Sequence, residues 1–246
     1  MRDFPLKTGS NAGQNTLLDI RNLDAHYGDF QALYGLSLRV QAGEVVSVIG
    51  ANGAGKTTLM RSVSGLMRNQ AEQVVWKGRE IGALRADQIA ALGIALVPEG
   101  RLLFASLSVE ENLIIGGQMK RKGPWTLQRL YRLFPILQER RNVPATALSG
   151  GQQQMVAIGR ALMSNPELLL MDEISLGLAP VIIKSIYEAL PSITGEGLAA
   201  VIVEQDIAKA LAVSSRVYCL QEGRVSLEGA SSEVPRDAIS RAYFGV

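Results

Sequence analysis

The chain has 246 residues, 47% of them hydrophobic, which is enough for one α/β domain, with room for a subdomain, to bury a sizeable core. A formal charge of +2 with scattered Lys and Arg excludes the basic face of a nucleic-acid binder, so Lys120-Arg121-Lys122 and Arg140-Arg141 read as solvated spots. One cysteine, Cys219, excludes an internal disulfide, and one histidine, His26, leaves no material for a His-based triad or a multi-His metal site.

Met1 to Thr16 is polar, carries no charged segment leading into an apolar one, and is expected as a loose arm. The longest nearly apolar stretch, Ile89 to Pro98, falls short of the roughly 20 residues that a membrane span needs. A soluble, cytoplasmic chain is therefore expected. Alternation in Leu18–Leu23 and Leu36–Val40 predicts half-buried strands, with His26-Tyr27-Gly28-Asp29 as a turn that keeps His26 at the surface. Gln41-Ala42-Gly43 then leads into Glu44–Ile49, a short apolar, β-branched run.

That run opens directly into Gly50-Ala51-Asn52-Gly53-Ala54-Gly55-Lys56-Thr57, and Thr57–Met67 has helical spacing that stops near Gly65. The spacing G-x-x-x-x-G-K-[ST] lets backbone amides wrap phosphates while Lys56 reaches the terminal ones and the Thr57 hydroxyl meets Mg²⁺. Strand, glycine loop and helix together predict a nucleotide cradle.

Val74–Trp76 reads as a further strand of the opening sheet, Ala86–Leu92 as a short helix, and Ile94–Pro98 as a buried strand stopped by proline. From Ser106 to about Ala161 the pattern is helical, with Ser108 and Glu111 as a capping box for a helix through Ile115. This predicts an inserted helical subdomain, about 105–162. Within it Leu148-Ser149-Gly150-Gly151-Gln152 precedes a helix over Gln152–Met163 with Met155, Ile158 and Leu162 on one face. Two glycines and a serine there suit either an anion site or a plain N-cap, and the pattern by itself leaves both readings open.

Leu168–Met171 and Ala199–Val203 look like fully buried parallel strands, separated by a helical Val181–Leu190, so strands alternate with helices as in a doubly wound core. Asp172 and Glu173 follow the first of these strands, at the edge where open α/β sheets bind ligands. Asp172 is placed to hold Mg²⁺ and Glu173 to activate water; the pair alone could equally cap the next helix. Arg216–Leu220 and Arg224–Leu227 flank Glu222-Gly223 as a hairpin, and Cys219 within it reads as a buried structural thiol.

With both glycine motifs, the helical segment between them and the Asp-Glu strand end in this order, the chain resembles an ABC-transporter ATPase subunit, whose signature is LSGGQ. Ala25-His26-Tyr27-Gly28, Val97-Pro98-Glu99-Gly100-Arg101, Ser175-Leu176-Gly177-Leu178-Ala179-Pro180, Val203-Glu204-Gln205 and Ala242-Tyr243-Phe244-Gly245 resemble the LivF-type ATPases of bacterial branched-chain amino-acid importers, across about residues 17–246. The resemblance implies an α/β, P-loop NTPase (RecA-like) core with a parallel sheet, an N-terminal antiparallel β subdomain and an inserted helical signature subdomain.

It also implies roles for residues. Gly50, Ala51, Asn52, Gly53, Ala54, Gly55, Lys56, Thr57 and Thr58 would surround the phosphates of ATP, and Tyr27 would stack on adenine, although spacing alone favours a turn tyrosine. Mg²⁺ would be held by Thr57, Asp172 and Glu99; Glu173, Lys56 and Gln205 would carry hydrolysis. Ser149, Gly150, Gly151 and Gln152 would face the nucleotide of a second ATPase subunit, itself a copy or a sibling. Glu99, Ala179 and Gln205 stand where the broad pattern has glutamine, aspartate and histidine, and Ile174 where proline is common. The implied partners are transmembrane permease subunits, docked near Glu99–Leu113, and indirectly a solute-binding protein, with no nucleic acid. The implied work is ATP-driven uptake of branched-chain or related amino acids at the cytoplasmic face of the bacterial inner membrane. Alternatives are a urea, amide or other solute importer, a soluble ABC ATPase acting on nucleic acid or ribosomes, and a nucleotide switch without turnover.

Overall fold

A computed structural model of the chain describes residues 15–244. The expected N-terminal arm therefore lies, apart from its last two residues, outside the described residues.

In β1 (Thr16–Tyr27) Leu23 and Ala25 alternate with exposed Asn22, Asp24 and His26, and in β2 (Phe30–Gln41) Leu36, Leu38 and Val40 alternate with exposed Gly35, Ser37 and Arg39. The two strands form a hairpin whose last pairs are His26 with Gln31 and Tyr27 with Phe30. The predicted turn thus shrinks to Gly28-Asp29, because His26 and Tyr27 still make strand pairs. β3 (Val45–Ile49) and α1 (Lys56–Val63) follow; then β4 (Val74–Trp76) returns to pair with β1, and β5 (Arg79–Glu80) pairs with β4. This first sheet is antiparallel, in the order β2-β1-β4-β5.

After α2 (Ala86–Ala91) and β6 (Ile94–Val97) the chain enters its helical stretch: α3 (Val109–Gly116), α4 (Leu127–Leu133), α5 (Pro135–Glu139) and α6 (Gly150–Leu162). The capping box of α3 is present, with Glu111 N–H donating to Ser108 Oγ at 3.2 Å and Ser108 N–H to Glu111 Oε2 at 2.8 Å. β7 (Leu168–Asp172), α7 (Pro180–Thr194), β8 (Ala199–Glu204), α8 (Ile207–Val213), β9 (Arg216–Gln221), β10 (Arg224–Ala230) and α9 (Arg236–Phe244) complete the chain. α8 and α9 have no counterpart among the sequence-based expectations; they are short helices that cover Cys219, Val217 and Ile49 through Ala210 and Ile239.

The second sheet runs β10-β9-β3-β8-β7-β6, parallel from β9 to β6 with β10 antiparallel at the edge. Its central strands are buried on both faces, which is why they read as unbroken apolar runs. Leu168, Leu170, Ala199, Val201 and Val203 pack with the antiparallel sheet and α1, while Leu169, Met171, Ala200 and Ile202 pack with Val109, Leu113, Leu130, Phe134 and Ile158 of the helical stretch. The helices therefore share their core with one face of the main sheet. Among the described residues no helix is long and apolar enough to cross a membrane.

Arg121, in the densest basic spot, is a structural clasp. Its guanidinium donates to Glu167 Oε1 at 2.9 Å and to the Ala91 carbonyl at 2.9 Å, joining the helical stretch to the root of β7.

Candidate active site

Strand register brings three separate sequence segments to one edge. Ile49 pairs with Glu204, and Asp172 pairs with Val203, so β3, β7 and β8 end level with one another. The glycine loop, Glu173 and Gln205 leave the sheet side by side, at the carboxyl ends of parallel strands where such sheets bind ligands.

The loop must contain glycine where it crosses its neighbours. A Cβ at Gly50 would lie 2.4 Å from the Leu220 carbonyl oxygen on β9, and Gly55 adopts φ +102° beneath Leu33. Lys56, 4% exposed, donates to the carbonyls of Gly50 at 2.8 Å and Ala51 at 3.1 Å. Its Nζ lies 3.4 Å from Glu173 Oε1, and Glu173 Oε2 accepts from Gln205 Nε2 at 2.8 Å. Glu173 is thus gripped from both sides. Its backbone is itself constrained, with φ +48° in the left-handed region that side chains with a Cβ rarely occupy.

A cavity of about 520 Å³ opens over this arrangement. Of the residues predicted for the site, Tyr27, Asn52, Gly53, Gly55, Lys56, Thr57, Thr58, Glu99, Glu173 and Gln205 line it, while Gly50, Ala51 and Ala54 form the loop without lining it. Tyr27 is half-exposed on the wall, its hydroxyl 3.4 Å from Thr58 Oγ1 and accepting from Arg61 at 3.5 Å. Phe30, across the hairpin from Tyr27, supplies a second aromatic wall and was not predicted. Leu176 lines the rim and was also missed.

Asp172, 3% exposed, accepts from Thr57 Oγ1 at 3.4 Å. Burial pushes its carboxyl up to about 6; Thr57 pulls it down, Glu173 and Glu99 push it further up, and Lys56 opposes them. Among the described residues no group of three or more His, Cys, Asp or Glu could hold a metal by itself. The Thr57–Asp172 pair, with Glu99 on the wall of the same cavity, offers few oxygens, which fits Mg²⁺, an ion that keeps several waters and is bound through one or two carboxylates plus substrate phosphates.

Ser149 to Gln152 are not among the residues lining this cavity. Ser149 is exposed as the N-cap of α6, accepting from Gln152 N–H at 3.4 Å while its own N–H donates to Gln152 Oε1 at 3.1 Å. The helix begins at Gly150, two residues before the predicted start, because this reciprocal cap holds both glycines in its first turn. A Cβ on Gly151 would lie 2.3 Å from Ile182 Cγ2, so this glycine lets α6 seat against α7. Ala179 is the N-cap of α7 and offers no side-chain cap, and Ile174, 1% exposed, is packed in the core beneath the helices.

A second opening lies elsewhere on the surface. It measures about 400 Å³ and lies between the segment after α1, α2, β6 and the ends of α3 and α6, lined by Leu66, Ala90, Leu96, Ile115, Met119 and Arg160, with no residue of Glu99–Leu113 on its walls. Phe104 flanks Arg160, and Arg160 donates to the carbonyls of Leu102 at 2.8 Å and Arg101 at 3.1 Å, drawing that loop onto α6.

The model of the ABC transporter family matches residues 33–175, more than half of the chain. The chain belongs to the ABC transporter family. This ABC protein is 41% identical over 232 residues to the high-affinity branched-chain amino acid transport ATP-binding protein BraG of Pseudomonas aeruginosa, spanning 93% of this chain and 100% of that one. It is 31% identical to the lipopolysaccharide export system ATP-binding protein LptB of Haemophilus influenzae, over 94% and 98% of the two chains. A solved dimeric ATP-binding cassette in a post-hydrolysis state, bound to ADP and Pi, shares its fold with TM-score 0.77 and 25% identity, covering 87% of this chain and 99% of that one.

The ABC protein is accordingly an ATP-binding ATPase with the expected P-loop NTPase fold. Phe30 was not singled out in the sequence, and Leu176 and the buried Glu204 at the end of β8 stood there only inside matching segments, with no role; an aromatic just after Gly28-Asp29 was the one local signal for Phe30. The contacts of Glu204 had no local signal, because its partners lie 29 and 17 residues away.

Proposed function

We propose that this ABC ATPase hydrolyses ATP with Glu173 as the general base and drives solute uptake through a membrane permease. The observation that carries the reading is Glu173 held between Lys56 and Gln205, beside the Thr57–Asp172 pair, at the mouth of the cavity. Backbone amides of the 50–57 loop and Lys56 bind the phosphates, with the Gly50 and Ala51 carbonyls keeping the Lys56 amine at the loop. Thr57, Asp172 and Glu99 are the residues that would hold Mg²⁺, which offsets phosphate charge. Glu173 takes a proton from water at one carboxylate oxygen while Gln205 fixes the other. Tyr27, with Phe30 beside it, presents a face for adenine.

Ser149, Gly150, Gly151 and Gln152 stand outside this chain's cavity, which supports their facing the nucleotide of a second cassette, a copy or a sibling. The groove lined by Leu66, Ile115 and Met119 suits an apolar helix of the permease. The greater identity to BraG supports branched-chain or related amino acids as the cargo and the cytoplasmic face of the cell membrane as the place of work, with a solute-binding protein acting on the far side.

Cross-linking tests the arrangement. Asn52→Cys in one cassette and Ser149→Cys in the other, each in a Glu173→Gln background, should join only with ATP and Mg²⁺. No cross-link with either a second copy or a sibling cassette overturns the reading. Leucine uptake into vesicles holding the permease, and no urea uptake, identifies the cargo; the reverse result reassigns it.

A further inference from the structure

The loop that leaves Glu173 is tied down by a carboxylate outside the cavity wall described above. Ser175 Oγ donates to Glu204 Oε2 at 2.9 Å, and Glu204 Oε1 accepts from the Tyr187 hydroxyl on α7. Glu204 is the last residue of β8, 2% exposed, and directly precedes Gln205, whose amide holds Glu173. A single buried side chain thus joins the start of the 173–179 loop, the helix into which that loop runs, and the strand end that presents Gln205. A small cavity of about 200 Å³ lies beside the Ser175–Glu204 contact, with Glu173, Ser175, Leu176, Glu204 and Gln205 among its walls.

Packing is a poor explanation for a carboxylate here. Among the described residues Glu204 makes no ion pair, and nearby Lys209 is paired with Asp206 at 3.2 Å. A buried carboxylate without a cation is costly, and an apolar side chain would fill the position at less expense. What an apolar side chain cannot do is accept two hydroxyls at once. Those two bonds act on the segment in which Glu173 is held at φ +48°, a conformation that persists only where the surroundings enforce it.

We infer that Glu204 is a positioning residue for hydrolysis: by tethering Ser175 and Tyr187 it fixes Glu173 and Gln205 in their working geometry. The inference rests on the reading of Glu173 as the base. It separates turnover from nucleotide affinity, because among the described residues no hydrogen bond links the phosphate loop over residues 50–57 to the side chains of Ser175, Tyr187 or Glu204.

The test uses the full-length chain with ATP and Mg²⁺. Glu204→Ala should lower kcat about tenfold or more with the KM for ATP changed less than about twofold. Glu204→Gln, which keeps an oxygen acceptor and can donate to the other hydroxyl, should restore kcat to within about threefold of the parent. Adding Ser175→Ala to Glu204→Ala should change kcat little further, since the two act as one unit. Hydrogen exchange should quicken in residues 173–178 and 204–206 and stay unchanged in 50–58. Unchanged kcat in Glu204→Ala overturns the inference. So does a Gln variant as impaired as the Ala variant, or faster exchange spread over β7, β8 and α7 together with a raised KM. If Glu204→Ala does not fold, the Ser175→Ala/Tyr187→Phe double variant decides, and full kcat there overturns the tether. Glu173→Gln measured alongside keeps the two ideas apart. Near-normal turnover by that variant removes Glu173 as the base, whereas a dead Glu173→Gln beside a fully active Glu204→Ala removes only the tether.

Discussion

Replacing Glu173 by glutamine probes the site with the least disturbance of shape. The amide keeps an oxygen to accept from Gln205, now at 2.8 Å, and loses the ion pair with Lys56 at 3.4 Å. Lys56 retains the carbonyls of Gly50 and Ala51, so the phosphate loop keeps its form. The proposed proton acceptor, however, is gone. A positioned general base contributes about 10²- to 10⁴-fold, which corresponds to about 2.7–5.4 kcal/mol of barrier. Affinity should hold or improve, because the variant removes a negative charge beside Lys56, the lysine proposed to meet the phosphates. Phosphate release and equilibrium binding of a fluorescent ATP analogue, measured on the same preparation with Mg²⁺, check both halves. Turnover within about tenfold of the parent, or ATP binding lost at unchanged thermal stability, refutes the assignment.

Three further outcomes follow from the geometry. Gly50→Ala puts a methyl 2.4 Å from the Leu220 carbonyl oxygen, a backbone atom that cannot swing away. Overpacking of this kind costs about 1–3 kcal/mol, so Tm should fall by several degrees and ATP binding weaken, and an unchanged melt counts against the close approach. Gly151→Ala should destabilise through its clash with Ile182 and be largely rescued by Ile182→Ala, with additivity of the two substitutions refuting the contact. Asp172 binds its proton more tightly when folded, at about 6 against an ordinary 3.8, so its contribution is full below about pH 4 and is lost as pH rises through about 6. Without nucleotide or Mg²⁺, the difference in urea midpoint between the parent and Asp172→Asn should shift across that window, and any acid limb of hydrolysis should persist in His26→Gln. A flat difference refutes the raised proton affinity of Asp172, and a limb lost with His26 refutes the reading of hydrolysis without an imidazole step.

Much of the site could be read along the chain because its parts are local. The spacing from Gly50 to Thr57 dictates a backbone that encloses phosphate, and Ser149 with Gln152 caps its helix across three residues. The buried strands showed as apolar runs because both faces of the main sheet are covered. Boundaries were less legible. The turn after β1 was drawn too wide because its last pairs, His26 with Gln31 and Tyr27 with Phe30, depend on the partner strand. The opening of about 400 Å³ gave no local signal, because its walls come from the segment after α1, α2, β6 and the ends of α3 and α6, which are remote from one another in sequence.

The sequence by itself determined the candidates for phosphate and metal, since the types and short spacings of Lys56, Thr57, Asp172 and Glu173 mark them out. Only the tertiary structure decided how they cooperate. β3, β7 and β8 had to end in register before Glu173 could stand between Lys56 and Gln205. Glu204 had to be buried before its carboxylate could reach Ser175 and Tyr187. Hydrogen bonds and charge interactions act over a few ångströms, and residues this far apart along the chain come within that range only when strand pairing and core packing fold them onto a common edge.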